Sequence, residues 1–420
     1  MRVWLALAFL SACGSSAVLQ AVDRGDLVAL RTELAAREKQ GSLSNSEAAK
    51  AALGIARREL ADAKGPAASL RVRELRACAR ELDGPLSDRM KTHDDAGAAA
   101  ALARLDAGNL GEGAARDFVD DPDPLWRAVG ARGLVRTKDG TKRRALFVDP
   151  SPDVRRQAVR AARVAADDDD TTTLLEVARL DPESTVRVEA IEAIAVLAPL
   201  STTVTEERDL WLKADGPGRE AIASTWAGSK LYEVGGHDAL AVLVATSHGP
   251  GPLEGAAALL RAGRKDDAEL ASSALANVLR ALAAGASVDR LHALAVIPLD
   301  APGALDAVKK ASTESDPEVK ISALSRLLEV GQERDAALRA LEGIASPRAR
   351  FALASAGHLR VQAWLEKDLE ASESSQRIAA VWALAALGRS ARGAILLADA
   401  EPSIRTQAAC ALLVASRAGK

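Results

Sequence analysis

Between Asp149 and Pro199, apolar and polar positions follow a helical period twice over. Asp149-Pro150-Ser151-Pro152-Asp153-Val154-Arg155-Arg156-Gln157-Ala158 returns 32 residues later as Asp181-Pro182-Glu183-Ser184-Thr185-Val186-Arg187-Val188-Glu189-Ala190. Each copy opens on an Asp-Pro turn suited to a helix start, then places Val, Ala and Ala or Ile at helical spacing. Shorter apolar runs predict second helices between them, such as Leu174-Leu175 with Val177 and Leu180, and Leu338 with Leu341 and Ile344. A period near 30 residues is the mark of a stacked array, since a unit of that size cannot bury a core alone.

The array can be laid out on one basic position, occupied by Arg127, Arg155, Arg187, Arg219, Arg290, Lys320, Arg377 and Arg405. Glu254 and Ala349 stand where two further rungs fall, so residues 121–417 hold about ten units. Three residues after each rung comes a small or apolar side chain, among them Gly130, Ala158, Ala190 and Ala408, which suits close approach of neighbouring helices. The combination of Asp-Pro, Val-Arg and a following Ala resembles the HEAT repeat and its bacterial HEAT-like relatives of the bilin-lyase type. That resemblance implies an all-α fold: an α-solenoid superhelix of stacked helical hairpins, in which the recurring Arg is a structural rung bonded to turn Asp residues of its own or the adjacent unit. Asp121, Asp149, Asp181 and Asp399 each precede a rung by six residues, so the column reads as a structural ladder rather than an anion-binding stripe. The pattern is weakest between about 200 and 300, where Gly216-Pro217-Gly218 and His248-Gly249-Pro250-Gly251-Pro252 predict a kink or joint. Residues 17–110 are helical without the signature and read as an N-terminal cap over the first exposed repeat face. The last unit stops after one helix, Ile404 to Ala415, which leaves the C-terminal end open or self-capped.

Composition agrees: 48% hydrophobic residues with only 3% aromatics favours close-packed Ala- and Leu-rich helices. A net charge of −3, from 55 basic and 58 acidic residues, argues against a nucleic-acid partner. Arg2 and the apolar run Val3 to Leu10 make residues 1–12 a signal peptide, and Leu10-Ser11-Ala12-Cys13 resembles the bacterial lipobox. That resemblance implies acylation of Cys13 as the first residue of the mature chain, residues 13–16 as a lipidated tether, and attachment to a membrane through the N-terminal lipid. Gly14 after the Cys points to the outer membrane of a bacterial envelope, facing the periplasm.

Candidate chemistry is sparse. A HEAT-like di-iron hydroxylase of the deoxyhypusine type would need His-Glu dipeptides, and none occurs; His237-Asp238 and His93-Asp94 read as loop residues. Asp167 to Asp170 suits helix capping better than Ca²⁺ binding, and Arg136, Lys138, Lys142, Arg143 and Arg144 suit solvated surface. Trp226 and Trp382 read as packing residues. Cys78 and Cys410, lacking paired spacing, read as buried inert thiols rather than a disulfide. No catalytic residues, metal or cofactor are implied. The expectation is a non-enzymatic, membrane-anchored scaffold for a protein partner of unknown identity. The alternative is a cytoplasmic HEAT-like enzyme, lyase or hydroxylase in type, with an unrecognised site.

Overall fold

The computed structural model describes residues 16–197, 200–246, 251–264 and 267–418; the signal segment 1–12 and Cys13 lie outside them. Among the described residues the chain is helical and carries no strand, an all-α solenoid of stacked hairpins. Residues 16–109 supply α1 (Ala17–Arg24), α2 (Leu27–Lys39), α3 (Asn45–Asp62), α4 (Pro66–Glu74), a 3₁₀ stretch Arg76–Leu82, α5 (Asp83–Met90) and α6 (Asp95–Asp106). Local chemistry sets these boundaries. The Ser44 hydroxyl accepts from the Glu47 amide at 3.1 Å to start α3, and Gly25, at φ 69°, ends α1 in the left-handed conformation that only glycine adopts cheaply.

The array follows with α7 (Glu112–Arg116), α8 (Pro124–Arg132), α9 (Gly140–Leu146), α10 (Pro152–Ala165), α11 (Thr171–Leu180), α12 (Ser184–Leu197), α13 (Ser201–Trp211) and α14 (Gly216–Ala227). Next come α15 (Ser229–Leu231), a π-helical turn Tyr232–Gly236, α16 (His237–Ala245), α17 (Gly251–Arg261), α18 (Ala268–Ala284), α19 (Ser287–Val296), α20 (Ala304–Ala311), α21 (Pro317–Leu327) and α22 (Gly331–Glu342). The chain closes with α23 (Pro347–Ser355), α24 (Gln362–Asp368), α25 (Ser374–Ala386), a 3₁₀ stretch Ser390–Ala398 and α26 (Pro402–Ala418). Proline at the start of α8, α10, α21 and α23 sits where a helix has no amide partner to lose.

The chain divides into two compact units, residues 110–341 and residues 1–109 with 342–420. In the first, the rung-bearing helices α8, α10, α12, α14, α17, α19 and α21 each lie on the next. The small residues after the rungs are where they meet: Ala158, Ala190, Ile222, Ala257, Ala293 and Ala323 are all fully buried. At Gly130 the approach is closest, since a Cβ there would fall 2.2 Å from the Val119 backbone nitrogen.

In the other unit α23, α25 and α26 stack in the same manner on one another, and α3 lies on α26 in the place of a next rung helix. The C-terminal end is thus covered by the chain's own N-terminal helices, the self-capped one of the two outcomes expected for it. Cys78 and Cys410 form a disulfide across this contact, with Cα atoms 5.4 Å apart, so the reading of two inert thiols is corrected. Their 332-residue separation hid the pairing, because proximity here is created by the fold and not by spacing.

Candidate interaction surface

The rungs show a two-sided bonding scheme. Arg127, Arg155 and Arg187 each send Nη1 to the backbone carbonyl of the Asp six residues earlier, at 2.8, 2.9 and 2.8 Å. Their remaining guanidinium nitrogens reach a carboxylate in the next unit: Asp149 at 2.8 Å, Asp181 at 2.7 Å and Asp215 at 2.9 Å. Each of Asp149 and Asp181 therefore serves twice, holding its own rung by a carbonyl and the preceding rung by its side chain. Both also accept the amide two residues on, closing the turn. Burial works to raise the pKa of Asp149, but Arg127, the Ser151 amide and Arg155 outweigh it and hold the carboxyl below its ordinary range. Asp215 is lowered chiefly by the Ser184 hydroxyl and the Gly218 amide, with help from Arg187.

The scheme varies at the other rungs. Arg219 donates to the Ala214 carbonyl at 3.0 Å, while its Nε is buried without a partner; Arg290 reaches Glu314 at 3.0 Å. Lys320 makes no side-chain bond among the described residues. Arg377 reaches Asp399 at 3.2 Å and Glu401 at 2.6 Å. Arg405 holds the Asp399 carbonyl at 2.8 Å and takes its carboxylate from Glu59 of α3, at 2.6 Å. α3 thereby supplies the acid that a following repeat would have supplied. Around it, Arg71 donates to Ser403 at 2.8 Å, Arg417 grips Glu81 with two bonds, and Ser390 donates to Asn45 at 3.2 Å.

Sequence reasoning missed a buried charge cluster. Arg143 has no exposed surface: it bonds Asp170 at 2.6 Å, Asp167 at 3.0 Å and the carbonyls of Leu134 and Arg136. The expected solvated basic patch is therefore corrected at this residue, and the acidic turn holds a cation of the chain itself. The signal was present as a basic run and an acidic run about one period apart, which read separately as two surfaces.

Residues 200–300 are joined differently. His237, at the start of α16, lies between Asp238 and Asp267, each at 3.0 Å, and these two partners raise its pKa. Arg264 lies 4.1 Å above the Tyr232 ring and donates to the Ala227 carbonyl. Asn277 donates to the Val244 carbonyl at 2.8 Å. Glu207 of α13 is fully buried, and the Thr225 hydroxyl donates to it at 3.3 Å. Burial pushes its pKa up to about 8, against lesser opposing pulls from Trp226 and Thr225. Trp226 is buried as expected of a packing residue, Trp126 is buried too, and Trp382, also expected to pack, donates to Gln407 at 3.3 Å.

Three consecutive units expose an aliphatic side chain at the same repeat position, seven residues before the rung. Val148, Leu180 and Leu212 are 75, 79 and 82% exposed. They lie 32 residues apart, where each second helix runs into the turn before the next rung helix. Among the described residues no three His, Cys, Asp or Glu side chains gather as metal ligands, and no helix is long and apolar enough to cross a membrane.

No protein-family model matches the chain, and no curated protein matches it. Among solved structures it is similar to the karyopherin Kap121p. Against Kap121p bound to the extreme C-terminus of the protein phosphatase Cdc14p, the TM-score is 0.36 at 13% identity, over 89% of this chain and 49% of that one. Against Kap121p alone the TM-score is 0.36 at 13% identity, over 90% and 49%. The chain spans about half the length of these structures, and a similarity this low says nothing of its partner or activity.

Proposed function

We propose that this protein is a non-catalytic scaffold that binds another protein along its repeat array, held to a bacterial envelope membrane by acylated Cys13. The observation that carries the interaction reading is the row formed by Val148, Leu180 and Leu212. Single exposed aliphatics are ordinary on any surface, but three at one repeat position make a spaced apolar edge whose burial needs a partner. The rung arginines are assigned to holding unit to unit, because their bonds run to carbonyls and carboxylates of the array itself.

Placement outside the cytoplasm draws on Cys13 and on the Cys78–Cys410 disulfide, since such bonds persist in oxidising compartments and are reduced in the cytoplasm. Photo-crosslinking residues placed at 148, 180 and 212 in the native host test the interaction. One protein attached at all three positions, and lost on Leu180→Asp, supports the scaffold. Absence of any adduct above that seen from a control at the exposed Thr32 contradicts it.

A further inference from the structure

A groove of about 680 Å³ runs between α12 and α14, and none of Val148, Leu180 and Leu212 lines it. Its wall and floor include Val188 and Val196 of α12, Ala221 of α14 and the buried Leu231. Nine residues after the rung, α10 carries Val164 and α12 carries Val196, both exposed, while Gly228 follows the end of α14.

The charges at the rim are almost all spoken for. Arg163 bonds Glu192 at 2.7 Å, and Glu220 bonds Arg261 at 2.7 Å. Lys230 lines the same groove, is exposed, and makes no bond among the described residues. Arg261 lies outside the groove, so of the charged side chains that line it Lys230 is the one left without a partner among the described residues, beside an apolar trough. The Ser224 hydroxyl, also exposed, adds a polar group on the same side.

From this we infer that the groove receives a short segment of a partner protein that carries apolar side chains and one carboxylate, the carboxylate meeting Lys230. The inference rests on the scaffold reading and adds a second, chemically defined contact to it. A purely apolar segment would fill the trough and leave Lys230 unused, and a basic one would meet a like charge.

The test is selection of random heptapeptides displayed on phage against the full-length protein, with the winners measured by fluorescence anisotropy against three proteins: wild type, Val196→Asp and Lys230→Glu. Both substituted positions are surface-exposed, and circular dichroism melting curves matching wild type establish that the variants are folded. The expected winners carry at least two apolar residues and one Asp or Glu, and bind both variants at least tenfold more weakly. Changing the peptide's acid to its amide should abolish the difference between wild type and Lys230→Glu. Failure to enrich such peptides, or equal binding to all three proteins, overturns the groove assignment. Crosslinks at 148, 180 and 212 that persist in the Val196→Asp protein would then leave the scaffold reading intact without the groove.

Discussion

The units between Asp121 and Leu197 and those between 200 and 300 solve the same problem in different ways. In the former, one residue type at one position ties each unit to the next through a carbonyl on one side and a carboxylate on the other. In the latter, Lys213 stands where Asp149 and Asp181 stood, Glu254 stands on a rung, and Arg219 keeps only the bond to its own unit. Attachment between units is then made by His237 to Asp267, Asn277 to Val244, Arg264 to Ala227 and Arg261 to Glu220. Stacking survives the loss of the ladder because it needs cross-unit bonds and small residues, not a particular column. The irregular stretch also holds Glu207, a buried carboxyl with no cation paired to it, and supplies one side of the groove whose other side is α12.

The contrast should be largest in the rungs. Arg155→Ala leaves Asp181 buried without its cation and should cost about 3–5 kcal/mol in urea denaturation, whereas Arg219→Ala should cost under about 1 kcal/mol. Equal losses would show that the two regions do not differ as described.

Glu207 gives the next effect, with the opposite sign. Its folded pKa lies near 8 and its unfolded pKa in the ordinary glutamate range, so between those values the folded state holds the extra proton. Stability therefore falls as pH rises from about 4.3 towards 8 on this group's account, then levels. Glu207→Gln should be on the order of 2 kcal/mol more stable than wild type at pH 8, with the gain vanishing near pH 4. A gain independent of pH would place the effect in packing instead.

Acid should loosen the carboxylates that receive the rung arginines. Asp149 and Asp215 have lowered pKa values, so their stabilisation is complete above the ordinary Asp range and is lost as pH falls through their folded values. Hydrogen exchange of the α10 and α12 amides should quicken below about pH 4 in wild type and be less pH-dependent in Asp149→Asn. The smallest effect is expected at His237, which is part-exposed: His237→Ala should cost under about 1 kcal/mol. Because its folded pKa is raised, that loss should be seen below about pH 6.5 and fade as pH rises through the folded value.

How much of this was legible follows from where the information lies. The helical stack could be read because its apolar period and Asp-Pro turns are local and repeated, as in Asp149 to Ala158 and Asp181 to Ala190. Gly216-Pro217-Gly218, read as a kink or joint, instead opens α14, which carries proline at its start and stacks on α12 and α17 like other rung helices, and what replaces the ladder beyond it depends on His237, Arg264 and Asn277, which share no column. Burial of Arg143 was invisible because charge in a sequence carries no depth. The cover over α26 was equally hidden, since Glu59, Cys78 and Glu81 acquire meaning only when the fold brings them to Arg405, Cys410 and Arg417. The apolar row needed both sources, the 32-residue spacing from the sequence and the exposure from the structure.

The account depends most on the chain lying outside the cytoplasm, anchored at one end and joined across its termini. The direct test is the intact mass of protein purified from its native host under thiol-alkylating, non-reducing conditions, followed by peptide mapping. The account predicts a chain that begins at Cys13 with added acyl mass and a linked pair of peptides containing Cys78 and Cys410. A chain that retains Met1, with both cysteines recovered alkylated, would contradict it.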